Sequence, residues 1–195
     1  MKNTSEIISY ASIAVIAISL FFIGTELTGL AVTDNETGLV NVTIETSAAL
    51  DFTTPLLDFG AGSVTGGAAG ATIDSEGTMT DGTGWTSAGA LILENIGNTN
   101  VTLNLTSNKT ADDFIGGNSP TFKAKVIDNE GDACSGATQS FASYADINLG
   151  QQIACSNFAY DDALDTVAIE FELYIPNNAL GAKTVEIIAI GEYTP

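Results

Sequence analysis

Residues 167–175 read VAIEFELYI. Val167, Ile169, Phe171, Leu173 and Ile175 fall on one side of an extended chain, and Glu170, Glu172 and Tyr174 on the other. A period of two puts alternate residues on opposite faces of a strand, and it does not build a helix face. The period recurs in Leu39–Glu45 (Val40, Val42, Ile44), Val101–Thr106 (Val101, Leu103, Leu105) and Thr121–Val126 (Phe122, Ala124, Val126). Val185–Ile190 is apolar on both faces apart from Glu186, which predicts a central strand. Turn-forming clusters separate the runs: Asp81-Gly82, Gly116-Gly117, Asn129-Glu130-Gly131 and Pro176-Asn177-Asn178. Single helical turns are expected around Thr110–Ile115 and Asp161–Leu164, and no longer helix in this part of the chain. The pattern predicts an all-β fold, an antiparallel β-sandwich (Ig-like or jelly-roll-like) of about eight to ten strands.

The start of the chain follows a different rule. Ile7–Gly24 is uncharged, Lys2 precedes it, and Gly29 and Ala31 have the spacing of a small-residue export cleavage site. As a helix this run spans about 27 Å, longer than a usual signal core and short for a bilayer span. Residues 1–31 are therefore expected to be a hydrophobic helix, serving either as a signal peptide or as a membrane anchor. Any membrane contact runs through that segment alone. Residues 32–195 are expected to form one extracellular domain at the cell surface.

Charge narrows the partners. The formal net charge is -19, with 24 acidic residues, 5 basic ones and no histidine. Nucleic acid is excluded, because binding phosphate requires cations to replace its counterions. The missing histidine removes Ser-His-Asp and Cys-His catalysis and the usual zinc sites. No carboxylate pair stands out among so many, so the chain is read as non-catalytic and without a resident cofactor.

The remaining motifs suit an exported protein. Cys134 and Cys155, the only cysteines, are expected to form one disulfide in an oxidising exterior. Asn-X-Ser/Thr sites at Asn35, Asn41, Asn100, Asn104 and Asn108 are glycosylation candidates. The last three are spaced by four and share one strand face, opposite Val101, Leu103 and Leu105. Asp128, Glu130 and Asp132 in DNEGD offer alternating oxygens to Ca²⁺, or else form a solvated acidic loop. Gly60–Gly70 lacks the Gly-Lys-Ser/Thr ending of a phosphate loop and reads as a flexible connection. Trp85 is expected to be a core or sheet-edge anchor.

Several phrases occur together: LDFG (Leu57–Gly60), Gly84-Trp85, LILENIGNTNVTLNL (Leu91–Leu105) and YIPNNALGAKTVEIIAIGEY (Tyr174–Tyr193). The apolar strand, Glu94-Asn95-Ile96-Gly97-Asn98 and second apolar strand of Leu91–Leu105 resemble a hairpin of cell-surface β-sandwiches such as the TasA/camelysin-like fibre proteins and archaeal bundling pilins. The ending is similar to WxL-type surface domains, although Gly84-Trp85 lacks the rest of that signature. The fibre-protein resemblance implies a structural or adhesive subunit that associates with itself, by donor-strand exchange with Val32–Glu45 as the donor, or with other surface proteins. Two alternatives stay open: Leu39–Glu45 pairs within its own domain, or the protein is a tethered binding module for glycans or Ca²⁺.

Overall fold

The structure, a computed structural model, describes residues 41–136 and 139–193. The expected N-terminal helix and Asn35 lie outside these residues. The chain divides into two compact units, Met1–Thr43 and Ile44–Pro195. Of the first, only residues 41–43 are described, and all three are exposed without strand pairing.

The second unit is mostly β, built from antiparallel sheets. Its larger sheet contains β1 (Asp51–Thr54), β3 (Gly70–Asp74), β4 (Met79–Thr80), β6 (Leu91–Glu94), β8 (Thr121–Asp128), β10 (Ala145–Asp146) and β12 (Thr166–Pro176). The smaller sheet runs in the order β13 (Ile187–Glu192), β7 (Val101–Ser107), β11 (Gln152–Phe158), β9 (Cys134–Ser135). A ribbon of β2 (Ser63–Val64) and β5 (Gly82–Thr83) completes the set, and the one described helix is α1 (Ala111–Phe114). Eight of the thirteen strands have four or more residues, and the others are two-residue bridges. Alternating side chains from both large sheets meet in one core. Leu103 and Leu105 of β7 and Phe158 of β11 lie in it with Val167, Ile169 and Phe171 of β12. This is the sandwich-like arrangement that the alternation predicts.

β12 organises the larger sheet. One edge pairs with β8 from Val167↔Asp128 to Tyr174↔Thr121. The other is shared: β6 takes Thr166–Ile169 and β3 takes Glu172–Pro176. At the gap between them sits Ser75, 1% exposed. Its N–H donates to the Phe171 carbonyl (2.9 Å), and its hydroxyl accepts from the Phe171 N–H (2.7 Å). A side chain thus supplies a rung that neither strand reaches. Ser75→Ala should strand a buried N–H and lower stability by about 1–3 kcal/mol, measurable by urea denaturation.

Two expectations change. Val185–Ile190 does not make a central strand. β13 pairs only with β7 among the described strands, and Ile188 remains 43% exposed. Two apolar faces look the same in sequence whether the outer one is covered within the chain or left open. The glycine-rich run is not a loose connection either. It carries β2 and opens β3, and its glycines let aromatic rings approach the backbone. A Cβ on Gly70 would lie 2.5 Å from the Tyr174 ring, and one on Gly62 would collide with the Trp85 ring. Trp85 packs against the core edge, as expected.

Candidate functional site

A groove of about 1330 Å³ opens between the segments 55–68 and 177–187. That exceeds the roughly 300–1,000 Å³ of small-molecule pockets and suits a length of peptide. Its floor is aromatic. Phe114 of α1 meets Phe122 edge-on at 4.9 Å between ring centres, and Phe122 stacks on Phe171 at 5.4 Å. Thr110 sets α1 in place by capping it, its hydroxyl accepting from the Asp113 N–H at 3.1 Å. Leu57 and Phe59 line the groove from one segment, Val185 and Ile187 from the other. Leu56 and Leu180, also on its lining, are 77% and 81% exposed. Large apolar side chains this open mark interaction surfaces when they cluster. The groove reaches Ile187, where β13 begins. β13 carries neither lysine nor proline, the usual protection of an edge strand against further pairing.

Residues 41–48 are all exposed and belong to no strand. Val42 and Ile44 are each 82% exposed. The expected pairing of Leu39–Glu45 within its own domain is therefore absent over residues 41–45, and Leu39 and Val40 lie outside the described residues. Only the end of this stretch is tied down. Asn98 donates through Nδ2 to the Glu45 carbonyl (2.8 Å) and accepts through Oδ1 from the Ser47 N–H (2.7 Å).

Cys134 and Cys155 form a disulfide that bridges β9 and β11, with Cα atoms 5.5 Å apart. The intervening chain leaves the smaller sheet, pairs as β10 with β8 in the larger one, and returns as β11. Phe141 (0% exposed) and Ile147 (3%) fix this strap in the core. Pattern reading missed both, because isolated apolar residues in a polar loop have no period.

Two of the three carboxylates of DNEGD, Asp128 and Glu130, turn to the backbone rather than toward one another. Asp128 Oδ1 accepts from the N–H groups of Gly131 (2.8 Å), Ala133 (3.2 Å) and Glu130 (3.3 Å). Glu130 Oε2 accepts from the N–H groups of Asp165 and Thr166, and Asp132 is exposed. Among the described residues no group of three or more His, Cys, Asp or Glu side chains is arranged for a metal ion. Partial burial raises the Asp128 pKa, but the hydrogen bonds from Glu130, Cys134, Gly131 and Ala133 outweigh it and hold the group below 3.8. A depressed carboxylate stabilises the fold above its unfolded value, and the contribution is lost as pH falls through the folded one. Relative to the intrinsic exchange rate at each pH, amide protection in 129–134 should therefore fall below about pH 4, and Asp128→Ala should abolish that loss of protection. At the same end, desolvation raises Glu94, with Asp165, Asp51, Asp162 and Glu130 adding repulsion.

The asparagines do not share one environment. Asn41 and Asn108 are exposed, and Asn108 exchanges hydrogen bonds with Glu186. Asn100 is half-buried. Asn104 is 5% exposed, contrary to the open face that the spacing of four implies. It lies on a central strand opposite Ile153 and Ile190, whose side chains flank it on the same face. Spacing along one strand carries no information about the neighbours on either side.

The outer faces of the two sheets differ in charge. On the larger, Lys123 pairs with Glu172 (2.7 Å), and Lys125 with Glu170 (2.7 Å) and Glu76 (3.2 Å). The hydrogen bond to Glu170 raises the Lys125 pKa most, against opposing desolvation. Burial, then Glu170 and neighbouring carboxylates, push the Tyr144 hydroxyl far above its usual range. Across β7, β11 and β13 of the smaller sheet, Glu192 is the only charged residue.

Neither a protein-family model, nor a curated protein, nor a solved structure matches this chain.

Proposed function

We propose that the protein is a non-catalytic, extracellular surface subunit that assembles with copies of itself by donor-strand exchange. The strand Val32–Glu45 of one copy adds beside β13 of the next, and its apolar face fills the groove. Residues 1–31 act as the export signal or anchor that places the domain, an Ig-like or jelly-roll-like sandwich, on the cell surface. The observation that carries this reading is an alternating segment with Val42 and Ile44 82% exposed in a chain that also holds an open apolar groove. Backbone pairing supplies affinity in such β-augmentation, and alternate side chains supply specificity. The direct test is electron microscopy of the purified protein across a concentration series. Filaments are expected, and a species that stays monomeric throughout overturns the reading. The rival binding-module reading draws support for its glycan half from the smaller sheet's outer face, where Glu192 is the one charged residue on β7, β11 and β13. Its calcium half draws none from the DNEGD loop, whose Asp128 and Glu130 oxygens accept backbone N–H bonds.

A further inference from the structure

A second, smaller pocket of about 280 Å³ lies where β7 and β11 begin and end. Tyr160 and Tyr193, 48% and 49% exposed, line it together with Asn100, Thr102 and Asn157. Its polar groups hold one another in place. Asn100 donates through Nδ2 to Asn157 Oδ1 (3.0 Å), Asn157 donates through Nδ2 to Ser135 Oγ (2.9 Å), and the Thr102 hydroxyl donates to the Ser156 carbonyl (3.1 Å). Asn100 keeps a carbonyl oxygen and a second N–H that bond nothing else among the described residues. No charged side chain lines the pocket, although the chain carries a net charge of -19. Glu192 and Asp161 adjoin the two tyrosines in sequence, so an anionic ligand meets repulsion.

We infer that this pocket seats one neutral pyranose ring. Tyrosine faces accept the apolar C–H side of a sugar, while fixed amides and hydroxyls meet its hydroxyl groups. The volume holds a single ring and no longer chain. Two sources share this chemistry: a free or neighbouring surface saccharide, and a sugar carried by Asn100 itself, which heads the sequence Asn-Val-Thr. In the second case a lipid-pyrophosphate-linked sugar reacts at its anomeric carbon. The bond from that carbon to Asn100 Nδ2 forms, its bond to the pyrophosphate oxygen breaks, and the amide loses one proton to solvent. The remaining N–H still reaches Asn157.

The test uses the full chain in two arms. In the first, protein from a non-glycosylating host is labelled with 3-fluorotyrosine, kept in a sugar-free zwitterionic detergent and titrated with methyl glucoside, methyl mannoside, N-acetylglucosamine and glucuronate. Saturable ¹⁹F shifts at Tyr160 and Tyr193 with a neutral sugar, and about tenfold weaker binding of glucuronate, support a free saccharide. Tyr160→Leu should weaken that binding about tenfold, whereas Tyr160→Phe, which keeps the ring face, should retain it. In the second arm, protein from its native source is footprinted with hydroxyl radicals before and after enzymatic sugar removal. Sugar on the Asn100 peptide that protects both tyrosines supports the attached source. Absence of both effects overturns the inference, as does glucuronate binding as tightly as the neutral sugars. Neither readout involves filaments, so this inference and the assembly proposal stand or fall separately.

Discussion

Replacing Val42 and Ile44 together with aspartate is expected to abolish filament formation while leaving the melting temperature of the isolated subunit unchanged. Both side chains are 82% exposed, so the folded subunit loses no burial when they change. In the assembly they would enter the groove over Phe122 and Phe171. Burying a valine and an isoleucine contributes about 3–6 kcal/mol, so their loss alone weakens each joint by about a hundredfold or more. Two carboxylates placed against an apolar floor add a desolvation cost. Thr43→Asp is the matched control, because it adds charge on the opposite face of the same strand. Electron microscopy and analytical ultracentrifugation on the three proteins decide the matter. The strand-exchange reading fails if the double variant polymerises like the parent, or if Thr43→Asp blocks assembly equally.

Opening the Cys134–Cys155 bridge is expected to lower stability by about 3 kcal/mol, the loop-closure entropy of some 20 residues. For a domain of this size that corresponds to a fall in melting temperature of about 6–12 °C. The effect should be local in origin. The bridge closes the strap that crosses from the smaller sheet to β10 and back, with Phe141 wholly buried within it. Once released, the strap should exchange its amides faster than β12 does. Urea melts with and without reductant, repeated on a Cys134→Ala/Cys155→Ala variant, measure this directly. Alanine is preferred at position 155 because the site is 0% exposed and a serine hydroxyl there would need a partner. Equal midpoints for oxidised and reduced protein would show that the strap is held by packing alone.

What the sequence made legible follows from the range of each physical rule. In β12 and β8 one face is buried and one is wet, so alternation identified Val167, Ile169, Phe171 and Leu173 as core, and Lys123 and Lys125 as outward. The disulfide was legible because only two cysteines exist. The Thr110 cap was equally local, needing only its own hydroxyl and the Asp113 amide. Longer-range facts were hidden. Burial of Asn104 depends on Ile153 and Ile190, about 50 and 86 residues away, and pairing registers of that kind leave no mark on one strand. The edge position of β13 and the groove beside it arise from which segments fail to pair. Phe114, Leu56 and Leu180 sit in turn-rich stretches where periodicity says nothing. The spacing of Asp128, Glu130 and Asp132 leaves both Ca²⁺ ligation and a solvated loop open, and says nothing of the backbone amides that the chain folds onto Asp128.

The continuous pairing of β12 with β8 has a mechanical consequence. Eight consecutive residue pairs join the two strands, from Val167↔Asp128 to Tyr174↔Thr121. A tensile load directed along β12 strains these rungs in shear, so they share the force and must rupture together instead of unzipping in succession. The strand is thereby the stiff spine of the domain.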